Sequence, residues 1–121
     1  MSIESNKMIY KICPRDEWQA AVDLGTFEGS AVDLADGFIH FSAAHQVQET
    51  AAKHFRGQTD LLLVAICGDD LGSELKWERS RGGDLFPHLY GALKTELARW
   101  EEPLMCDDTG VPIIPGRVVS C

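Results

Sequence analysis

The sequence predicts an α+β fold with a mixed or split β-sheet of about five or six strands and two main helices. A run of seven apolar residues, 61–67, has the length and the β-branched content of a strand buried on both faces. Helical patterns lie early in the chain and strand patterns late, which favours α+β over a doubly wound fold. The 121 residues, 45% of them apolar, suffice for one core.

The chain is predicted to comprise a disordered polar tail over residues 1–7 and a single α+β domain over residues 8–121. The tail lacks the apolar stretch of a secretory signal, and no two of the four cysteines have Cys-x-x-Cys spacing. We therefore expect a cytoplasmic protein with free thiols. No apolar run approaches the roughly 20 residues that span a bilayer, so no membrane partner is expected.

The formal net charge is -8, from 19 acidic and 11 basic residues. Because double-stranded nucleic acid requires a clustered basic face and the sequence has no such run, this class of partner is excluded. A small nucleotide-like ligand remains compatible, since one or two arginines serve an anion locally. The absence of His-x-x-x-His spacing predicts no metal site. Oligomeric state is not predicted.

The first elements follow from short patterns. Residues 8–13 are β-branched and aromatic and predict a strand. Pro14 suits the first turn of a helix, and Gly25 suits its end. The expected buried stripe of this helix comprises Trp18, Ala21 and Val22.

The next segment, 26–36, has no clear period and is interpreted as a loop. A strand is predicted over 38–42, in which Phe38, His40 and Ser42 share one face. Ser42 is also the expected N-cap of a helix over 43–55. The expected stripe of that helix comprises Val47, Ala51, His54 and Phe55.

The second half of the chain reads mainly as strands. After the buried run 61–67, residues 75–79 alternate in polarity, and 84–91 carry a second histidine. For 92–105 we favour a turn followed by a strand over a helix. Two prolines within 111–119 restrict that segment to a sheet edge.

His40 is a candidate site residue because it lies mid-strand between Phe38 and Phe41. Ser42 falls about 7 Å along the same face, so the two side chains form a clamp for an anion or a ribose. The alternative is a core histidine whose ring is satisfied by a backbone carbonyl.

His88 is the second candidate. Pro87 fixes the backbone before it, and Gly91 allows a tight bend after Tyr90. A backbone restricted at both ends of this segment would orient the side chains of His88 and Tyr90 toward a ligand. The alternative is a rigid turn in which Tyr90 is an anchoring aromatic residue.

Glu78 ends a predicted strand close to Arg79 and Arg81. It is interpreted as a general base or a ribose ligand, with a surface ion pair as the alternative. Arg81 and the two glycines after it form a loop suited to cover a phosphate, and Trp77 is a candidate wall of an aromatic pocket.

Three segments together resemble the bacterial family called domain of unknown function 952: Phe-Ile-His-Phe-Ser at 38–42, Leu-Lys-Trp-Glu at 75–78 and Phe-Pro-His-Leu-Tyr-Gly at 86–91. The resemblance covers roughly residues 8 to 119. It implies a remote relation to the ADP-ribosyltransferase-like fold, in which a split sheet clasps NAD. NAD is therefore the cofactor or ligand that the resemblance implies.

The resemblance also implies roles for single residues. His40 matches the residue of that fold that contacts the nicotinamide ribose. Tyr90 or Ser42 matches the Tyr or Ser that a second motif strand supplies. Glu78 matches the catalytic glutamate of a third strand. The chain has no Glu-x-Glu or Gln-x-Glu pair, which argues against transfer to protein side chains.

Three functions follow as hypotheses. The first is an enzyme, or a former enzyme, that handles an NAD-like or ADP-ribosyl ligand. The second is a non-catalytic small-molecule-binding module. The third is a two-histidine phosphoesterase, disfavoured because residues 88–90 lack the small hydroxyl of a second His-x-Ser motif. The expected catalytic residues are His40, Glu78 and His88, and the expected ligand-binding residues are Ser42, Trp77, Arg79, Arg81 and Tyr90.

Overall fold

The structure, a computed structural model, describes residues 8–80 and 83–118. The predicted tail (1–7) and Arg81 lie outside the described residues. Within these ranges there are three α-helices: Arg15–Leu24 (α1), Ala31–Asp36 (α2) and Val47–His54 (α3). The 3-10 segments Gly68–Glu74 and Thr95–Leu97 connect strands. None of the helices described is long and apolar enough to cross a membrane.

Nine strands accompany the helices in the described ranges, and five of them have five or more residues. This confirms the α+β class and matches the predicted number of longer strands, whereas the two-residue strands and α2 were not expected. The strands are Met8–Pro14 (β1), Thr26–Phe27 (β2), Ile39–His40 (β3), Ser42–Ala43 (β4), Leu61–Cys67 (β5), Leu75–Arg79 (β6), Leu85–Leu89 (β7), Leu93–Lys94 (β8) and Ala98–Leu104 (β9).

The strands divide among three sheets, with orders β4-β1-β5-β9, β3-β7-β6 and β2-β8. Every pairing described is antiparallel. A mixed sheet, one of the two predicted arrangements, is therefore wrong. The order of helices and strands along a chain predicts the fold class, but it does not encode the relative direction of paired strands.

The core is organised around β5, whose seven residues are all buried, as the apolar run predicts. Strand β5 lies between β1 and β9, so both of its edges are paired, and two separate apolar clusters cover its two faces. Leu62, Val64 and Ile66 pack with Trp18 of α1. Leu61, Leu63 and Ala65 pack with Val47 and Ala51 of α3.

Helix α1 begins after Pro14 and ends at Gly25, which has a left-handed φ of 89°, as predicted. Trp18 and Ala21 are buried, but Val22 is 42% exposed. The predicted buried stripe of α1 therefore includes one residue, Val22, that is exposed. Val22 lies on the far side of Trp18 from Ala21, at the solvent margin of the helix. In α3, His54 is likewise exposed rather than part of the buried stripe.

The loop predicted over 26–36 is wrong, because this segment contains β2 and α2. Helix α2 buries Asp33 and exposes Val32 and Leu34, so it has no apolar stripe for a periodicity argument to detect. The sequence signal is instead the Ser30-x-x-Asp33 spacing of a capping box. The Ser30 backbone N–H donates to Asp33 Oδ2 at 2.8 Å.

The strand predicted over 38–42 is interrupted at Phe41. Strand β3 pairs with β7 in one sheet, whereas β4 pairs with β1 in another. Ser42 therefore does not continue the strand of His40. It does not cap α3 either, which begins at Val47 after Gln46. The Phe41 N–H donates to the Pro87 carbonyl at 3.0 Å where the chain changes sheets.

The C-terminal part agrees better with expectation. Residues 92–105 contain the short strand β8, a 3-10 turn and β9, so a turn followed by a strand is confirmed. Pro103 lies in β9, an edge strand, where a missing N–H is tolerated. Within 111–118, Pro112 makes an isolated bridge to Cys106.

Gly29→Ala is expected to destabilise the protein by about 3 kcal/mol. Gly29 has a φ of +122°, and an added Cβ would lie 2.7 Å from Asp33 Cβ. Gly25→Ala is the matched control, since its φ is +89° with nothing within 4 Å of the new Cβ, and it should cost about 1–2 kcal/mol. Equal losses in urea unfolding would contradict a close approach at Gly29.

Candidate functional site

A cavity of about 560 Å³ lies where the four-stranded and three-stranded sheets meet. Strands β1, β4 and β7 and helices α2 and α3 contribute to its wall. His40 and His88 both line it, and so does Ser42. The two histidines, nearly fifty positions apart in sequence, therefore face one space.

The two imidazoles converge because His40 and His88 are register partners in the antiparallel pair β3–β7. Side chains of directly opposed residues project from the same face of a sheet. Their ring centroids are 5.4 Å apart, in an edge-to-face arrangement.

Strand β7 is the central strand of its sheet although it contains Pro87. The Pro87 carbonyl accepts a hydrogen bond from the Phe41 N–H, just beyond the end of β3. The Pro87 nitrogen faces the same side of β7, where the pairing with β3 has already ended, so a missing N–H is tolerated there. The segment of His88 is thus a strand and not a pinned turn.

Gly91 has a different role from the one its position predicts. Its φ is not among the positive values. An added Cβ would instead lie 2.8 Å from Glu74 Oε1, so the glycine permits a close approach.

An aromatic ring covers both histidines. Phe38 stacks on His88 with a centroid distance of 4.2 Å and a tilt of 29°. It also lies 4.6 Å from the His40 ring and 5.2 Å from the Tyr90 ring. These contacts fix both imidazoles in orientation through apolar packing.

His40 is held by the buried carboxylate of Asp33. Asp33 Oδ1 accepts the His40 backbone N–H at 3.1 Å and lies 2.6 Å from His40 Nδ1. Asp33 Oδ2 accepts from the Lys11 ammonium at 2.7 Å, in addition to the Ser30 N–H. Both the Lys11 and the Asp33 side chains are almost fully buried.

The ionisation state of Asp33 follows from these contacts. Burial opposes the charged form, but the hydrogen bond from His40 and the charge of Lys11 outweigh it and lower the pKa of Asp33 from 3.8 to about 2. Asp33 is therefore a carboxylate at neutral pH and an acceptor only. His40 Nδ1 must consequently be the donor of their hydrogen bond.

The other ring nitrogen of His40 also faces a carboxylate, since Nε2 lies 3.0 Å from Asp36 Oδ2. A neutral ring would direct a lone pair at Asp36, whereas an imidazolium donates on both sides. His40 thus lies between the carboxylates of Asp33 and Asp36.

His88 is oriented by Glu78 on the neighbouring strand β6. His88 Nδ1 lies 2.8 Å from Glu78 Oε1, and the Tyr90 hydroxyl donates to the same oxygen at 2.7 Å. Hydrogen bonds from His88 and then Tyr90 lower the pKa of Glu78, so it accepts and His88 Nδ1 donates. Nothing in the described part of the chain hydrogen-bonds His88 Nε2. A neutral His88 thus presents an acceptor.

The remaining predicted site residues have other positions. Ser42 lines the cavity and shares a 3.0 Å hydrogen bond with Thr50. Trp77 and Arg79 are not among its lining residues, and Arg79 donates to the Gly83 carbonyl at 3.0 Å. Trp77 packs against the core. Glu78 and Tyr90 act behind His88, not in the wall.

Sequence reasoning missed three charged residues of the site: Lys11, Asp33 and Asp36. Lys11 interrupts the apolar strand β1, which is the signal that could have singled it out. Asp33 was detectable from the capping-box spacing. No three His, Cys, Asp or Glu side chains in the described residues form a group suited to a metal ion.

The comparisons with known proteins give a family without assigning an activity. The model of the family described as protein of unknown function (DUF952) matches residues 12–100. A crystal structure of protein CC0527 from Caulobacter crescentus is 58% identical, covers 88% of this chain and 93% of its own, and has a TM-score of 0.86. A solution NMR structure of CC0527 is 59% identical, covers 87% and 90%, and has a TM-score of 0.79. No curated protein matches the chain.

Proposed function

Because the chain belongs to the DUF952 family of proteins of unknown function, we propose its function from the site itself: the cavity binds an NAD-like or ADP-ribosyl ligand on which His40 and His88 act. The observation that supports this most is the pair of imidazoles, 5.4 Å apart, each backed by a carboxylate and facing one cavity. Titratable groups oriented this way in a cleft are typical of active sites.

The cavity suits a small molecule in size and composition. About 560 Å³ falls within the usual range of ligand pockets. Its wall combines apolar side chains, such as Ile12 and Phe86, with a few polar groups. Such walls favour a planar base, while the polar groups orient a sugar.

The two histidines have complementary roles in this proposal. In hydrolysis of an N-ribosyl bond, the C1′–N bond breaks and its electrons leave with the nicotinamide. A C1′–O bond forms to water, whose proton passes to His88 Nε2. Glu78 is a positioning residue that fixes the His88 tautomer. His40, held by Asp33, orients the ribosyl group at the cavity wall.

The test is thermal unfolding with NAD and with ADP-ribose, together with an assay for released nicotinamide. We expect a ligand-dependent rise in Tm and slow nicotinamide release that is lost in His40→Ala. His45→Ala is the matched control, because His45 is exposed and does not line the cavity. A rise in Tm without release would instead identify a binding module. If NAD neither stabilises the protein nor is consumed, the proposal fails.

A two-histidine phosphoesterase is the second candidate. The observation that favours it is the pair of carboxylate-bound imidazoles of His40 and His88, 5.4 Å apart on one cavity, which supplies two groups for acid and base roles. The test is hydrolysis of a cyclic phosphodiester by the wild-type protein and by His88→Ala. Hydrolysis that survives this substitution would refute the mechanism.

A further inference from the structure

Asp36 is the carboxylate that the proposed mechanism leaves unused. It lines the cavity, its side chain is 49% exposed, and its Oδ2 contacts His40 Nε2 at 3.0 Å. Nothing in the described part of the chain hydrogen-bonds its Oδ1. Asp36 thus offers Oδ1 to the cavity as a hydrogen-bond acceptor, while His40 holds its other oxygen, Oδ2.

The charges around the cavity disfavour a phosphate group. Among the described lysines and arginines, only Lys11 lines the wall, and it is paired with Asp33. Two carboxylates, Asp36 and Glu17, line the wall, and Asp33 already holds the Lys11 ammonium. A dianionic phosphate beside Asp36 would meet a like charge in a partly dry site.

We propose that the cavity recognises the vicinal diol of a ribosyl group, that Asp36 accepts its hydroxyl hydrogens, and that phosphate groups of the ligand stay outside the cavity. This inference rests on the proposed function and narrows it to nucleoside-like groups. A carboxylate is a common ligand of ribose hydroxyls, because its oxygens accept from two adjacent donors.

The surrounding residues suit the same ligand. His40 Nε2 contacts Asp36 Oδ2 and so holds the carboxylate while Oδ1 accepts from a hydroxyl. The Ser42–Thr50 hydroxyl pair and His88 also belong to the polar part of the wall. The apolar part includes Ile12, Val32 and Phe55, which a planar base would contact.

The experiment measures affinities of the full chain by calorimetry for adenosine, adenosine 5′-monophosphate, 2′,3′-dideoxyadenosine and inorganic phosphate. We expect adenosine to bind at least as tightly as the monophosphate, and loss of the diol to weaken binding about tenfold. Asp36→Asn should weaken adenosine about tenfold and shift preference toward the monophosphate. Asp23→Asn, an exposed change on α1, is the matched control and should leave all affinities unchanged.

The outcomes separate this inference from the proposed function. Monophosphate binding more than tenfold tighter than adenosine, and unaffected by Asp36→Asn, would overturn the inference while leaving a nucleotide site intact. The companion variant Arg81→Ala would then show whether the predicted phosphate residue is responsible. Absence of binding by every adenosine compound to folded protein would overturn both proposals.

Discussion

Asp33→Asn is expected to destabilise the protein by about 3–5 kcal/mol, the largest stability effect of any single change considered. The Asp33 side chain is fully buried, and each of its oxygens serves two donors. Asparagine has one oxygen and one NH₂ group, so either orientation of its amide directs a donor at two other donors. It also leaves the Lys11 ammonium buried without a counter-charge.

The measurement is the free energy of unfolding in urea at pH 7. Asp60→Asn is the matched control, because Asp60 makes an ion pair of the same 2.7 Å length with Arg15 at the surface. That exposed pair should contribute at most about 1 kcal/mol. Asparagine also tolerates the positive φ of 57° at position 60. Equal effects of the two substitutions would show that the Lys11–Asp33 pair is not the anchor of α2.

Lowering the pH should also show how much the Asp33 carboxylate contributes to stability. The folded-state pKa of Asp33, about 2, lies below its ordinary value of 3.8. The stability that its ionisation contributes is therefore fully present above about pH 4 and is lost as the pH falls toward 2. The difference in unfolding free energy between wild type and Asp33→Asn should narrow by about 2 kcal/mol over that interval. A constant difference would contradict the proposed ion pair.

His88→Gln is expected to lower the rate of nicotinamide release by about a hundredfold or more, because it removes the general base. Binding of ADP-ribose should change much less, since glutamine retains a polar group in the wall. The check is a comparison of kcat with the dissociation constant of ADP-ribose, with His45→Gln as the control. A parallel loss of affinity and rate would mean that His88 binds ligand and does not transfer protons.

Substitutions of Glu78 and Tyr90 should lower the rate by successively smaller amounts than His88→Gln. Glu78→Gln should reduce kcat less than His88→Gln and alter the pH profile, because the amide no longer fixes the Nδ1–H tautomer. Tyr90→Phe removes one of the two donors to Glu78 and should have the smallest effect. An unchanged pH profile in Glu78→Gln would contradict the proposed role of Glu78 in positioning His88.

The sequence alone determined the elements whose burial pattern is local. The length of the run 61–67 and its Val and Ile content favoured a strand, and its seven consecutive apolar side chains leave no solvent face. Pro14 and Gly25 set the limits of α1 through their own backbone preferences. The Phe-Pro-His-Leu-Tyr-Gly segment and His40 were identified as site candidates from composition and from the family resemblance.

Only the tertiary structure decided how those candidates meet. The β3–β7 register that opposes His40 to His88 depends on pairing between segments far apart in the chain, which no local pattern encodes. Asp33 lies in a helix without an apolar stripe, so only the capping-box spacing marks it in the sequence. The burial of Asp33 is stabilised by Lys11, from a distant strand, at 2.7 Å, together with the donors of His40 and Ser30. Long-range charge pairing, unlike hydrophobic periodicity, leaves no repeat in the sequence.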